Sequence, residues 1–459
     1  MRVSHLAVLW LASLGLAVGG CQRDRGQPPN VLVAVVDTMR ADRLGAYGNA
    51  RGLTPFLDSL AARGTVFANA YSTTSWTCPA VASLMTSRYP TQHRVVSFAS
   101  QLGDDEVTLA ETVRPLRYVS GGFSANFRLL STLGYAQGFD HWEADLQPGA
   151  AELSGTELGR RALAWLDRSW NASAGRPALL YLQYLEPHAP YAPPDPYRSR
   201  FRDAAADAGD DADLNAKLVS MRWHELTKAD VHRLESLYDG EIATVDEQLR
   251  QLFAELEQRH FLDRAIVVVT ADHGEEFWEH GGLTHGITLY NECVHVPLIV
   301  LTPGQREGQR VTENVSLIDI APTLLDLLGL PAEPRFEGRS LAPLLRDGAQ
   351  ASRGAAPPVI VQLEPTGYEM DTREHAAGIV QDASKLLVRR SGHTETYDLR
   401  ADPGEQDASP ASLASPADAL ARTLETAQAD LARRASSGEH RAPLDEATRE
   451  KLRALGYHF

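Results

Sequence analysis

The chain has 459 residues, of which 43% are hydrophobic and 23% charged, enough apolar material for a large core and too balanced for wholesale disorder. A net charge of −16 argues against nucleic acid as a partner, because a phosphate backbone is met by a basic face. Three cysteines exclude a disulfide scaffold.

At the N-terminus, Arg2 and His5 precede an apolar run from Leu6 to Val18 that ends in Gly19-Gly20-Cys21. A short apolar segment followed by small residues reads as a signal peptide over 1–20, too short to span a membrane and stay there. The ending resembles a bacterial lipoprotein signal, which implies lipidation of Cys21 and an envelope location, periplasmic or extracytoplasmic. Each buried acyl methylene contributes ~0.8 kcal/mol, so several chains together anchor firmly. Contact with the membrane is then expected through that lipid only. Residues 21–29, polar with two prolines, suit a tether. Cys78 and Cys293 read as small buried residues, and whether they meet is left open.

Asn30 to Val36 (NVLVAVV) is the pattern of a strand buried on both faces, and it stops at Asp37. Thr54-Pro55 predicts a helix start, followed by a strand from Val66 to Tyr71. In Thr77-Cys78-Pro79, a hydroxyl stands two residues before a proline suited to a helix's first turn. Thr77 is therefore expected in the loop opening a helix, where free N–H groups and the dipole welcome an anion. Ala178 to Leu185 is a further apolar strand, leading to His188 in a proline-bounded loop. Asp203 to Asp213 reads as an exposed insertion. Apolar residues from Leu234 to Leu256 recur at three- and four-residue steps, predicting a long amphipathic helix. Ala265 to Thr270 is a strand ending in Ala271-Asp272-His273, then come a strand at Val296 to Leu301 and a helix at Asp319 to Leu328.

Strands alternating with helices predict a doubly wound α/β fold, in which ligands gather at the carboxyl ends of the strands. Asp37, His188, Asp272 and His273 all stand just past such ends. Pro357 to Leu363, His375 to Gln381, Lys385 to Arg390 and Glu395 to Leu399 read as a small antiparallel sheet. The expected division is a catalytic domain over 30–350, a β subdomain over 351–402, and a helical, partly disordered tail over 403–459. Within that tail Ser415-Pro416 would cap an exposed helix to Arg434.

Two carboxylates and an imidazole suit one divalent cation, with mixed O/N donors favouring Mn or Zn over Ca. Such an ion would activate the Thr77 hydroxyl. His188 is the candidate general acid for the leaving oxygen. His280 and His285 lie in a glycine-rich segment and could donate to a bound oxyanion, or satisfy loop carbonyls. Arg40 is a weaker substrate-binding candidate. Arg43 reads as a salt-bridge residue and His93 as structural.

The segments DTMRADRLGAYGN, TPFLDSLAARGTVFANAY, CPAVASLMTSRYP, LEPHAPYAPP, ADHGEEFWEHGGLTHGITLYNECVHVPLIV, SLIDIAPTLLDLLGLP and YDLRADPGE resemble the sulfatase family of the alkaline phosphatase superfamily, from about Asn30 to Asp402. The resemblance implies a large mixed β-sheet flanked by helices and a small C-terminal β subdomain. It also implies metal ligation by Asp37, Asp272 and His273, a nucleophile at Thr77 and a leaving-group acid at His188. The departures carry information. Family sulfatases hold a Cys or Ser, oxidised to formylglycine, where this chain has Thr77, and an Arg where it has Val81. Thr cannot be oxidised to that aldehyde, so no formylglycine is expected. Thr38 replaces a second Asp, and His285 a position often held by Lys. These changes resemble relatives that use an unmodified Thr, which implies attack by metal-bound Thr77 on a small anionic sulfate or phosphate ester. Two alternatives stay open: a phospho-headgroup transferase of the envelope, or a non-catalytic binding protein on the same fold.

Overall fold

The structure is a computed structural model and describes residues 27–97, 99–144, 153–173, 175–201, 210–347, 356–364, 374–408, 416–436, 438–441 and 446. The expected signal peptide, Cys21 and most of the tether lie outside the described residues.

Asn30–Val36 (β1) is fully buried and sits in the middle of a nine-stranded sheet. The other strands are Thr65–Tyr71 (β2), Val119–Ser124 (β3), His141–Glu143 (β4), Ala178–Tyr184 (β5), Ala265–Ala271 (β6), His295–Val296 (β7), Leu298–Leu301 (β8) and Gln309–Ser316 (β9). β1 pairs in parallel with β5 on one side and β6 on the other. β3 and β4 extend the sheet in parallel beyond β5. On the other side β8 runs antiparallel to both β6 and β2, and β9 lies parallel to β2, so the sheet is mixed. The strand expected over Val296 to Leu301 is two pieces, broken at Pro297, which has no N–H to give to a ladder. Its carbonyl accepts from Thr270 Oγ1 at 2.7 Å.

The connecting helices include Pro55–Ala61 (α1), Thr77–Thr86 (α2), Gly155–Trp165 (α3), Asp211–Val219 (α4), Lys228–Gln258 (α5) and Ile320–Leu327 (α6). The long helix α5 starts from a capping box of Thr227 and Asp230 and buries Leu234, Leu237, Ile242, Val245, Leu249 and Leu252. Within the expected exposed insertion, Asp210, Ala212 and Asp213 are exposed where α4 begins; Asp210 caps the helix by accepting from Ala212 N at 3.0 Å, and Asp211 pairs with Arg198 and Arg233. Beyond it, Leu214 and Leu218 give α4 a buried face, so the acidic residues point outward from a helix held against the protein.

Val359–Gln362 (β10), His375–Gln381 (β11), Ser384–Arg389 (β12) and Thr394–Asp398 (β13) form an antiparallel sheet in that order. Its two faces alternate with period 2. Val359, Val361, Val380 and Leu387 join the main core. Ile360, Ile379 and Leu386 meet Leu420, Leu424 and Leu431 of the helix Pro416–Arg433 (α7). That helix was expected to be exposed. Its leucines share one face because their spacing follows the helical repeat, and that face covers the small sheet.

Candidate active site

The register of the sheet builds the site. Val36 is opposite Ala271 in one neighbouring strand and Tyr184 in the other, so Asp37 and Asp272 leave adjacent strands at the same height. Thr38 turns the chain there with φ +53°, a left-handed conformation that costs a non-glycine residue about 1–3 kcal/mol. Its amide donates to Asp272 Oδ1 at 3.3 Å, and its carbonyl accepts from Tyr238 OH at 2.7 Å.

Asp37, Asp272 and His273 are completely buried, and one ligand atom from each lies within 4.8 Å of the others. His273 Nε2 is 3.5 Å from Asp37 Oδ1 and 3.7 Å from Asp272 Oδ2. Thr77, the first residue of α2, brings its Oγ1 to 3.3 Å from His273 Nε2 and 3.5 Å from Asp37 Oδ2. It therefore lies one step inside the helix rather than in the preceding loop, and Trp76 is the N-cap.

Hydrogen bonding fixes how these groups point. His273 Nδ1 faces Gly274 O at 2.9 Å, which assigns the ring proton to Nδ1 and leaves an Nε2 lone pair toward the two carboxylates. Asn126 Nδ2 donates to Asp37 Oδ2 at 2.6 Å, and Gln183 Nε2 donates to Asp272 Oδ2 at 3.3 Å. Among the described residues, Asp37 Oδ1 is buried without a hydrogen-bond partner. Burial pushes the Asp37 carboxyl well above its usual range, and Asp272 pushes it further, against the pull of His273 and Asn126. Lone pairs converging from two acids and an imidazole, with one oxygen unsatisfied, fit a cation.

The remaining histidines divide into two groups. His285 lies beside the cluster, its ring centroid 4.5 Å from that of His273 and 5.0 Å from that of His188. Burial, then His273, His188 and Arg128, push the His285 imidazole well below its ordinary value. His188 is half-buried, and its Nδ1 is 2.6 Å from Ala189 O. His280 is not brought to the cluster. Its Nδ1 pairs with Glu292 at 2.6 Å, its Nε2 meets Glu405 O at 2.9 Å, and its ring stacks on Tyr290 at 3.5 Å. Arg40 is also turned away, with its guanidinium engaged by Asp42, Glu279 and the carbonyl of Glu275. Both weaker substrate-binding candidates are thus taken up by partners inside the protein. Arg43 pairs with Glu235 and Asp239. His93 bonds Ser83 and is pushed down to about 3 by burial, the state of a neutral core histidine. Cys78 and Cys293 are buried and free.

Four polar residues at the site have no counterpart in the sequence reading: Asn126, Arg128, Gln183 and Glu275. Asn126 and Arg128 follow β3 (VSGGFS), whose paired glycines mask the strand pattern. At Gly122 a Cβ would come within 2.2 Å of the Trp142 ring, so the glycine is there for packing. Arg128 is buried beside Cys78, the neighbour of Thr77. Gln183 alternates within an apolar strand, and Glu275 follows His273 by two residues, which was the available signal.

The sulfatase family profile matches residues 29–330, and the profile of the N-sulphoglucosamine sulphohydrolase C-terminal region matches 279–427. Arylsulfatase K of Gallus gallus is 26% identical over 445 residues, covering 82% of this chain and 78% of its own. The multifunctional alkaline phosphatase superfamily protein PehA of Trinickia caryophylli is 26% identical over 470 residues, covering 82% and 90%. The solved phosphonate monoester hydrolase of Agrobacterium radiobacter superposes with a TM-score of 0.68 at 25% identity, over 88% of this chain and 95% of that one. With the family profile spanning well over half of its length, the chain belongs to the sulfatase family.

Proposed function

We propose that this chain is a metal-dependent hydrolase of sulfate or phosphate esters that attacks through Thr77, with His188 as the general acid. The observation that carries the reading is the meeting of Thr77 Oγ1 with the inward lone pairs of Asp37, Asp272 and His273. A divalent cation held by those three residues would supply positive charge against the ester's oxygens and a lowered hydroxyl pKa. The mixed O/N donors favour Mn or Zn over Ca.

Each remaining role belongs to a side chain or helix end. Thr77, its hydroxyl proton lost to solvent, forms an Oγ–S or Oγ–P bond as the bond from that atom to the ester oxygen breaks. His188, half-buried and therefore reachable, gives that oxygen its proton. Water then bonds to the same sulfur or phosphorus, giving one proton back to His188, as the Oγ bond breaks and the Thr77 oxygen takes a proton from solvent. The first turn of α2 offers a positive dipole end to the substrate's oxygens. Arg128 adds a buried cation on the same side, which compensates in charge for Val81, a residue that can offer none. The arylsulfatase relative supports a sulfuryl target and the phosphonate monoester hydrolase a phosphoryl one. Among the described residues no helix is long and apolar enough to cross a membrane. We infer envelope attachment through a lipid on Cys21.

The test is metal analysis of purified protein with a matched panel of aryl sulfate, phosphate monoester, phosphate diester and phosphonate ester. Wild type is expected to carry about one divalent ion per chain and to turn over at least one ester. Thr77→Ala should lose activity by ~10³-fold or more, while Thr77→Ser keeps part of it. Full activity in Thr77→Ala would remove the nucleophile assignment.

A further inference from the structure

Beyond the three ligands and Thr77, the site contains one buried acid with no part in the reaction above. Glu275 is fully buried. Its backbone is pinned on both sides: its N–H donates to Glu292 O at 2.8 Å, and its carbonyl accepts from Arg40 Nη1 at 3.0 Å. Arg40 is thereby explained as a brace for this residue. The chain can pass so close to Glu292 because residue 274 is glycine; a Cβ there would lie 2.0 Å from Glu292 O.

The two oxygens of Glu275 serve two different elements. Oε1 faces His285 Nδ1 at 2.8 Å, and Oε2 accepts from Tyr191 OH at 2.9 Å. Tyr191 lies three residues beyond His188 in the same loop. It is itself fixed, with its N–H on Asn215 Oδ1 at 2.6 Å and its ring against Tyr238 and Phe277. One carboxylate thus joins the His285 segment to the His188 loop, and the two imidazoles meet edge to face with centroids 5.0 Å apart.

We propose that Glu275 is a positioning residue for both histidines, setting the ring of His285 directly and the loop of His188 through Tyr191. This rests on the proposed ester hydrolysis. The physical reason is acceptor arithmetic. In its ionised form a carboxyl group accepts at both oxygens and donates at neither, so two donors can be held at once. With Tyr191 donating to one oxygen of the ionised Glu275, the other is placed to accept from His285 Nδ1. That assigns the Nδ1–H tautomer and leaves Nε2 as the ring nitrogen for a ligand. An amide in the same place has one acceptor oxygen and an NH₂ group, so it satisfies one donor and opposes the other.

The test uses Glu275→Gln and Tyr191→Phe in the full-length, metal-loaded protein, on whichever ester of the panel wild type turns over fastest. Glu275→Gln is expected to lower kcat about 10–100-fold, the usual range for supporting residues around a metal site, with KM changed less than about threefold. Tyr191→Phe should lower kcat less, because the bond to His285 survives. Rates are referred to folded protein by circular dichroism. Nitrogen-15 spectra of histidine-labelled protein give a readout independent of turnover. Wild type should show His285 protonated at Nδ1 and unprotonated at Nε2, and Glu275→Gln should mix the tautomers. Wild-type kcat in Glu275→Gln, or an unchanged His285 signature, would overturn the proposal. Full activity in Thr77→Ala would sink the nucleophile and leave the nitrogen-15 result standing. An inactive Thr77→Ala beside a fully active Glu275→Gln would sink Glu275 alone.

Discussion

Asp37→Asn should have opposite effects on stability with and without a cation. In the metal-free protein two carboxylates and an imidazole lone pair face one another, with ligand atoms within 4.8 Å and no exposure to water. At an effective dielectric constant of about 20, ionising Asp37 beside Asp272 within 4.8 Å would cost about 3 kcal/mol or more, part of what holds the Asp37 carboxyl well above its usual range. Replacing Asp37 by Asn removes this cost, met in wild type as repulsion or as a retained proton. It also weakens the 2.6 Å bond from Asn126, whose charge assistance is worth about 1 kcal/mol. The balance favours the variant by about 2 kcal/mol, or roughly 2–3 °C of melting temperature for a chain of this size. In the presence of Mn or Zn the order reverses. Wild type gains about 2.7 kcal/mol at a hundredfold excess over Kd, whereas the variant has lost a charged ligand and gains little. Differential scanning calorimetry with chelator and with each metal reads both halves. If Asp37→Asn melts below wild type in chelator, the acids are not held in mutual repulsion, and the case for a cation at this point fails.

Gly274→Ala should destabilise the fold by about 1–3 kcal/mol, the usual cost of forcing extra volume into a packed interior, because its Cβ would meet Glu292 O at 2.0 Å. The same shift should weaken cation affinity, measured by metal titration, since residues 272 and 273 ride on that backbone. His280 tests the contact between the main sheet and the C-terminal subdomain. Burial opposes its charge, but Glu292 and the Glu405 carbonyl outweigh burial and raise it to about 9. A raised folded value means that its stabilisation is full below the unfolded value of about 6.5 and is lost as pH rises through about 9. Wild type should therefore lose stability between pH 7 and 9.5 relative to His280→Gln in urea melts. A parallel pH course for the two would contradict this.

How far the sequence discloses this site depends on which part of the chain holds each group. Asp37, Asp272 and His273 were legible because each ends an apolar strand. A central parallel strand buried on both faces spells itself in β-branched residues, and its carboxyl end is where polarity first becomes affordable. The strand β3 is not spelled out in the sequence because Gly121 and Gly122 make room for Trp165 and Trp142, a demand set by residues far away in sequence. With the strand went Asn126 and Arg128. The tail helix failed for a related reason. Its composition gives a helix and its leucines give a face, but what covers that face is a sheet built elsewhere in the chain.

Arg40 and His280 show the opposite difficulty, since proximity to a motif made them candidates while their partners decided their role. Arg40 lies three residues from Asp37, yet the turn at Thr38 sends its guanidinium to Glu279 and to the backbone of Glu275. His280 and His285 are five residues apart in one glycine-rich segment. A left-handed Gly281 and Thr284 separate them, and they end up against different carboxylates, Glu292 and Glu275. Residue type and spacing can place a titratable group in a loop. Which of two nearby histidines faces the chemistry is settled by which acid receives its proton, and both acids, Glu275 and Glu292, lie in the one segment read as a block. The division of labour between them is therefore a property of the folded hydrogen-bond network. Exchanging a single acceptor, as in Glu275→Gln, is the direct way to move one histidine without touching the other.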